Sequence, residues 1–256
     1  MKLKIAISGK GGVGKSTIAA LLARELSKKE KVLLLDADPV PTTSKLLGIK
    51  ENIEPLARMT ALIEERTGVD PTSKFFKLNP KVDDLVDKFG VSYNENLKLL
   101  VLGTIDTAKT GCFCPENAFL KAFLRYSTKQ DGILILDMEA GIEHLTRGTT
   151  KNVGLLIVVI EPSVRAIEIA SAIKRQAENI GIAKEKIIAV LNKHRCEEEL
   201  QKTKEFLEKI GIPLVATIPY DEKIVENDRG VEPLDPSSLT NEEITKLAYK
   251  VTSSKG

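Results

Sequence analysis

The sequence predicts one α/β domain over residues 1–256, with a mostly parallel central sheet and helices on both of its faces. Three observations lead to this expectation. Apolar runs of strand length alternate with amphipathic stretches of helical period from end to end. The strand-length runs are rich in Ile, Val and Leu and apolar on both faces, as parallel strands buried under helices are. No internal repeat and no Gly/Ser/Pro-rich linker divides the chain.

The predicted elements follow one another in the order strand, helix, strand. The strands are expected at Leu3–Ser8, Lys31–Asp36, Leu97–Leu102, Gly132–Asp137, Gly154–Ile160, Lys186–Asn192 and Leu214–Ile218. The helices are expected at Ser16–Lys28, Asn117–Ser127, Ala166–Asn179, Glu197–Ile210 and Glu242–Val251. The stretch Thr42–Asn96 breaks this regularity, and we expect it to pass over the face that carries the ligand site, beyond the carboxyl ends of the strands.

Composition excludes several classes of protein. Hydrophobic residues make up 42% and charged residues 29%, and Lys+Arg 38 against Asp+Glu 36 leaves a net charge of +2. This balance speaks against a polybasic nucleic-acid or membrane binder, so neither partner is expected. No apolar run reaches the roughly 20 residues of a membrane span. The first residues are typical of a strand rather than a signal peptide, and three cysteines are too few for a disulfide scaffold, so we expect a cytoplasmic protein.

A phosphate-binding loop follows the first strand. It is Gly9-Lys10-Gly11-Gly12-Val13-Gly14-Lys15-Ser16-Thr17, which matches G-x-x-x-x-G-K-[ST] between a strand and a helix. The glycines let backbone N–H groups surround a phosphate, Lys15 reaches the β- and γ-phosphates, and the Ser16 hydroxyl binds Mg²⁺. A glycine-rich turn without a ligand is the alternative. The residues expected to bind nucleotide are Gly11, Gly12, Val13, Gly14, Lys15, Ser16 and Thr17.

The loop also resembles the deviant Walker A motif, which is found in nitrogenase iron protein, MinD, ParA and ArsA. Lys10 carries the resemblance, because a lysine directly after the first glycine is not required for binding within one subunit. By itself it would be a solvated surface lysine. In that class this lysine contacts the nucleotide of the partner subunit, so the resemblance implies a P-loop NTPase fold and a homodimer with ATP between its subunits.

Two predicted strands end in aspartates where a phosphate and its metal would lie. The second strand runs into Asp36-Ala37-Asp38-Pro39, and another ends at Asp137. The resemblance implies that Asp38 orients the attacking water and that Asp137 holds Mg²⁺ through water. Turns and helix caps are the alternative for aspartates at such positions.

The signature of the base is weaker. Asn192 and Lys193 end one predicted strand, and the Asn192 amide can both donate to and accept from an adenine edge. Pro219 ends the next strand, where the deviant Walker A class contacts the base through its backbone. A turn residue is the alternative for Asn192. Arg195 stands where a guanine-reading Asn-Lys-x-Asp would place its acid, so ATP is favoured over GTP.

Cys112 and Cys114 lie at the predicted start of a helix. A helix N-terminus lowers the pKa of a thiol and so favours the thiolate that binds metal. Two thiolates cannot complete a four-sulfur site, whereas a two-fold dimer would bring together four. Two inert half-buried cysteines are the alternative. The isolated Cys196 is expected to be a packed or idle thiol rather than a metal ligand.

A closer resemblance extends along nearly the whole chain. The strings Cys112-Phe113-Cys114-Pro115-Glu116-Asn117 and Glu143-His144-Leu145-Thr146-Arg147-Gly148 closely resemble the CooC-type accessory ATPases, which serve nickel insertion into carbon monoxide dehydrogenase or acetyl-CoA synthase. The resemblance implies an ATP-hydrolysing metallochaperone that uses ATP, Mg²⁺ and Ni²⁺, with Zn²⁺ as an in vitro competitor for Cys112 and Cys114. Two departures are Glu139, where a small residue is usual, and Val40–Thr43, where polar residues are usual.

The alternative is a MinD- or ParA-like regulatory or partitioning ATPase with incidental cysteines. A MinD-like protein would end in a basic amphipathic membrane helix, whereas residues 240–256 mix acidic and basic side chains. A nitrogenase-type reductase would need a second cysteine near Asp137, where this sequence has Ala140. If the chain is an ATPase of the deviant Walker A class, the residues expected to act in catalysis are Lys10, Lys15 and Asp38.

Overall fold

The computed structural model describes residues 2–38, 40–69, 75–103, 114–138, 153–228 and 234–253. The strands of this part form one sheet in the order β3-β4-β2-β5-β1-β6-β7-β8. They are β1 Lys2–Gly9, β2 Val32–Asp36, β3 Val91–Ser92, β4 Leu97–Val101, β5 Gly132–Asp137, β6 Leu155–Ile160, β7 Ile187–His194 and β8 Leu214–Pro219. All pairs are parallel except β3 with β4, so the carboxyl ends of seven strands meet at one edge.

Helices cover both faces of the sheet. Their bounds are α1 Lys15–Leu26, α2 Thr43–Leu46, α3 Thr60–Thr67, α4 Leu85–Phe89, α5 Pro115–Ser127, α6 Val164–Asn179, α7 Glu197–Ile210, α8 Glu222–Asp228 and α9 Ser238–Ser253. The α/β class, the parallel sheet and the seven predicted strands are confirmed. No helix in the described ranges combines the length and apolarity needed to cross a bilayer.

The core lies in two layers because successive side chains of a strand point to opposite faces. Ile5 and Ile7 of β1 pack with Leu22 of α1 and Leu247 of α9 on one face. Ala6, between them, packs on the other face in a layer that includes Phe119 and Phe123 of α5. Burying two such layers holds the carboxyl edge of the sheet rigid, and the described loops that follow β1 and β7 are attached to that rigid edge.

The stretch Thr42–Asn96 only begins at the ligand face. It crosses the carboxyl edge of the sheet where the Ala57 N–H donates to the Leu102 carbonyl at 2.9 Å. Beyond that point Ile63 and Leu85 are fully buried in the layer of α5, so α3 packs against α5 and does not cover the site. The expectation that the whole stretch passes over the ligand is therefore wrong, because burial of its apolar side chains draws it to the opposite face.

Candidate functional site

A cavity of about 430 Å³ opens beyond the carboxyl ends of the strands. Four parts of the chain line it: the phosphate loop with the start of α1, the turn after β2 with α2, the end of β7, and the end of β8 with residues of α8 and α9. Predicted site residues that line it are Gly11, Gly12, Gly14, Lys15, Ser16, Thr17, Asp38, Asn192, Lys193 and Pro219. Val13 is buried in the core instead, and its carbonyl rather than its side chain contributes to the loop.

Backbone geometry explains the glycines of the phosphate loop. Gly12 and Gly14 have φ of 80° and 96°, the left-handed region that glycine adopts without strain. A Cβ on Gly14 would collide with the Asn192 side chain, so this position admits no other residue without a shift. α1 begins directly after it, and the unpaired N–H groups of its first turn face the cavity end of the loop. The loop therefore has the geometry that binds a phosphate anion.

The loop is supported from outside through its carbonyl oxygens. Asn192 Nδ2 donates to the Val13 carbonyl at 2.8 Å, and Lys193 Nζ donates to the Gly12 carbonyl at 2.7 Å. Lys193 holds a φ of 64°, which is unusual for a residue with a side chain and is typical of functional sites. Asn192 thus uses its amide N–H to fix the loop, and a pairing of that same amide with adenine stays a prediction.

The other end of the cavity is built around Tyr220 and Asp221. The Arg195 guanidinium stacks on the Tyr220 ring at 3.6 Å from its centroid. Asp221 is 9% exposed and accepts hydrogen bonds from the Ser237 N–H at 2.7 Å and the Thr240 hydroxyl at 2.8 Å, while the Lys223 N–H donates to it at 3.1 Å. Burial would raise the pKa of Asp221, but these hydrogen bonds outweigh it and lower the pKa.

Asp36 is fully buried and organises the turn after β2. Its carboxylate accepts from the Asp38 N–H at 3.0 Å, the Thr42 and Thr43 N–H groups at 3.2 Å each, and the Thr43 hydroxyl at 2.6 Å. Burial nonetheless raises its pKa, against these hydrogen bonds. Asp36 therefore shapes the loop that presents Asp38 to the cavity, where the Asp38 carboxylate is half-buried and accepts from the Val40 N–H at 2.9 Å.

Asp137 lies in register with Asp36 at the end of the neighbouring strand and is 1% exposed. Neither of its carboxylate oxygens has a hydrogen-bond partner among the described residues. Burial and the charge of Asp36 raise its pKa to about 7, while the nearby Ser16 hydroxyl and Lys15 ammonium oppose the rise. A buried carboxylate without a partner, facing a serine hydroxyl, fits an oxygen-ligated Mg²⁺ or its water shell.

The Lys10 side chain is directed away from the Asp137 carboxylate. Its Nζ lies 2.7 Å from Glu161 Oε1, and its side chain is absent from the cavity wall, while its carbonyl accepts from Lys15 Nζ at 3.3 Å. Lys10 and Lys15, which the sequence assigns to phosphates, are thus both paired with groups of their own chain.

Cys114 caps the N-terminus of α5 and is half-buried. Burial raises the pKa of its thiol, and Glu116 adds to the rise against hydrogen bonds from Asn117. The expectation of a lowered thiol pKa is wrong here, because desolvation and a neighbouring carboxylate outweigh the helix N-terminus. No group of three or more His, Cys, Asp or Glu side chains in the described part of the chain could hold a metal ion.

Several predicted residues cannot be placed. Cys112, Glu139 and the string around His144 lie outside the described residues. Cys196 is exposed at the N-terminus of α7 rather than packed, and its lack of a role as a ligand stays a prediction. The sequence patterns predict no site role for Asp36, Asp221 or Glu161. The position of Asp221 before the first turn of α8, next to the predicted base contact Pro219, was an available signal.

Comparison with known proteins extends these observations. The CobQ/CobB/MinD/ParA nucleotide-binding domain matches residues 4–234. An uncharacterised ATP-binding protein of Methanocaldococcus jannaschii is 41% identical over 249 residues, 96% of each chain. The carbon monoxide dehydrogenase accessory protein CooC of Rhodospirillum rubrum is 39% identical over 234 residues, 89% of this chain and 87% of that protein.

Solved structures share the fold. A ParA-family ATPase of Chlorobium tepidum superposes with a TM-score of 0.73 at 21% identity, covering 97% of this chain and 99% of the other. The septum site-determining protein MinD of Pyrococcus horikoshii, solved with Mg-ADP, gives a TM-score of 0.70 at 21% identity, covering 100% and 98%.

Proposed function

This chain belongs to the CobQ/CobB/MinD/ParA nucleotide-binding family, and from that premise we propose that it is an accessory ATPase that delivers nickel to carbon monoxide dehydrogenase or acetyl-CoA synthase. The observation that carries the client class is the 39% identity to CooC over 89% of this chain. ATP hydrolysis to ADP and phosphate is the activity of the family. The nickel site and the client are the new parts of the proposal.

The geometry supports a specific division of labour in hydrolysis. The loop N–H groups and Lys15 would bind the β- and γ-phosphates, and Ser16 and Asp137 would hold Mg²⁺. When bound, the metal neutralises charge that develops on the phosphate oxygens. Asp38 lines the cavity and would orient the attacking water, while Asp36 fixes the backbone that carries Asp38.

Dimerisation would complete the site. Lys10 belongs to the phosphate loop, but its side chain does not line the cavity, so it would not face phosphates bound in its own subunit. A second copy of the chain, docked on this face, would bring its Lys10 toward the nucleotide. Loss of the γ-phosphate would then loosen the dimer and with it any group held at the interface.

Cys112 and Cys114 supply half of a four-sulfur site per subunit. Pro115 stands at the first position of α5, where its fixed φ favours a helix start, and the buried Phe119 and Phe123 anchor that helix in the core. Because burial raises the pKa of the Cys114 thiol, metal binding there must displace a proton. We therefore expect nickel affinity to rise with pH.

Equilibrium dialysis of the reduced protein against Ni²⁺ tests the proposal. We expect about one nickel per dimer, with sulfur-to-nickel charge-transfer absorption, because four thiolates fill one site. Cys112→Ser and Cys114→Ser should each abolish tight binding and leave ATP binding intact. Cys196→Ser is the matched control and should bind nickel as the wild type does. A parallel dialysis against Zn²⁺ measures the competing metal at the same thiolates.

Unchanged nickel stoichiometry in the Cys112→Ser/Cys114→Ser double variant would contradict the proposal. It would favour the other candidate, a regulatory or partitioning ATPase whose hydrolysis depends on a protein partner and not on metal.

A further inference from the structure

Lys10 and Glu161 form an ion pair at the side of the phosphate loop. The distance from Lys10 Nζ to Glu161 Oε1 is 2.7 Å, and the two side chains are 28% and 25% exposed. The residues are far apart in sequence, since Lys10 follows β1 and Glu161 follows β6. Neither Glu161 nor the pair has a part in the catalytic scheme above.

Strand register explains why the two residues meet. Gly9, at the end of β1, pairs with Val159 of β6, and Lys10 and Glu161 lie one and two residues farther along the same direction. A Cβ on Gly9 would collide with the Val159 carbonyl, so the loop leaves β1 in close contact with β6. The ion pair is thus placed by the sheet and not by a flexible loop.

The sheet order also fixes the side on which Lys10 is held. β5, which carries Asp137, lies on one side of β1, and β6 lies on the other. Glu161 therefore draws the Lys10 ammonium away from the carboxylates that would hold Mg²⁺. Its Oε1 also lies 3.4 Å from Ser163 Oγ, which accepts from the Ala166 N–H at 3.2 Å and caps α6. Glu161, which accepts from Lys10, is therefore anchored to the start of α6 through Ser163.

We infer that Glu161 is a latch: it holds Lys10 within its own subunit, and a nucleotide-bound dimer forms only when Lys10 leaves Glu161 for the triphosphate in the second copy. The inference rests on the proposed role of Lys10 in dimerisation. A triphosphate with Mg²⁺ offers several charged oxygens against one carboxylate, so it displaces Glu161. After hydrolysis Glu161 recaptures Lys10 and favours separation of the subunits.

The size of the effect follows from the exposure of the pair. A partly exposed ion pair favours its closed state by a factor of about 1.4 to 5. Formation of one dimer opens two latches, so removing both should tighten the dimer about 2- to 30-fold. The latch is weak enough for ATP to open and strong enough to bias the protein toward the monomer when ATP is absent.

Sedimentation equilibrium with Mg²⁺ and a non-hydrolysable ATP analogue tests this inference. The Cys112→Ser/Cys114→Ser background removes any contribution of thiolate-bound metal to the dimer. In that background Glu161→Gln and Glu161→Ala should lower the dimer dissociation constant by about 2- to 30-fold. Glu198→Gln, which breaks the exposed pair with Lys202 at 2.6 Å on α7, is the matched control and should change nothing.

The Lys10→Ala variant separates failure of the latch from failure of the proposed function. Dimerisation that survives Lys10→Ala unchanged would overturn the role of Lys10 and the latch together. If dimerisation needs Lys10 but Glu161→Gln leaves it unchanged or weakens it, the latch alone is wrong and Glu161 instead positions Lys10. The Lys10→Ala/Glu161→Gln double variant should behave as Lys10→Ala, because the latch has nothing left to hold. Thermal unfolding of each variant without nucleotide verifies that it is folded.

Discussion

Asp36 and Asp137 end neighbouring parallel strands in direct register, yet their carboxylates are in opposite states. Asp36 accepts hydrogen bonds from Asp38, Thr42 and Thr43. Asp137 accepts none from the described residues, and it is as deeply buried. One carboxylate therefore completes the structure of the protein, whereas the other is an acceptor left for something that the protein binds.

Replacement of Asp137 should stabilise the protein without its ligands. Its pKa is raised to about 7 in the folded state, from 3.8. Between these values the folded state holds a proton that the unfolded state has released, so the wild type loses stability as pH rises from about 4 to about 7. Asp137→Asn removes this loss, and we expect its advantage in unfolding free energy to grow by roughly 1 to 3 kcal/mol from pH 5 to pH 8.

Thermal unfolding at pH 5 and pH 8, with and without Mg²⁺ and ATP, measures both effects. Asp137→Asn should lose the rise in Tm that Mg²⁺-ATP gives the wild type. Asp235→Asn, at an exposed position, is the control. An advantage that is the same at both pH values would show that the pKa of Asp137 does not lie between them.

Asp38→Asn should bind Mg²⁺-ATP nearly as the wild type does and hydrolyse it about 100-fold more slowly or worse, because an amide orients the attacking water poorly. The slow variant should accumulate as an ATP-bound dimer. Size-exclusion chromatography with and without ATP, together with phosphate release, measures this. Asp83→Asn, an exposed aspartate 3.9 Å from Lys81, serves as control. Turnover at the wild-type rate would remove Asp38 from the mechanism.

Asp221→Ala should destabilise the protein by about 2 to 4 kcal/mol, because it leaves the half-buried Ser237 N–H and the buried Thr240 hydroxyl without their acceptor and removes a cap of α8. Since the folded-state pKa of Asp221 is lowered, its contribution is present above pH 4 and is lost as pH falls below that.

α8 and α9 line the cavity through Ile224, Val225 and Thr240, so the variant should raise KM for ATP more than it lowers kcat. Steady-state ATPase kinetics at several pH values give this split. Glu222→Gln, the next residue and exposed, should leave both constants and the stability unchanged. Equal losses in the two variants would mean that the charge of this turn matters and not the hydrogen bonds of Asp221.

Patterns of apolar residues were sufficient to predict the long strands of the sheet, but not its short edge strand or the first residue of α9. Long buried runs predicted seven strands, because a parallel strand between two helical layers admits few polar residues. β3 was missed because two residues at a sheet edge leave no periodicity to detect. α9 begins at Ser238 rather than Glu242, since the Ser237 hydroxyl caps it by accepting from the Thr240 N–H, and Asp221 in turn accepts from the Ser237 N–H. The contact with Asp221, 16 residues earlier in the chain, cannot be inferred from local sequence.

Some features of the site could likewise be predicted from the sequence, and others depend on how the strands are arranged. The phosphate loop was predicted because its chemistry depends on residues adjacent in sequence. The isolation of Asp137 and the pairing of Lys10 with Glu161 depend on which strands lie side by side, and the sequence does not give that order. The thiol pKa of Cys114 was predicted in the wrong direction, because its burial follows from the packing of α5.

The central position of β1 in the sheet affects how the protein folds during its synthesis on the ribosome. β1 pairs with β5 and β6, which lie more than 120 residues later in the chain. At about 5 to 20 residues per second, translation leaves this apolar strand without its partners for roughly 6 to 30 s. During that time the phosphate loop has no scaffold, and β1 presents both edges to any other extended chain. We therefore expect folding to be more efficient when the nascent N-terminal segment is shielded from other extended chains until the second half of the sheet is synthesised.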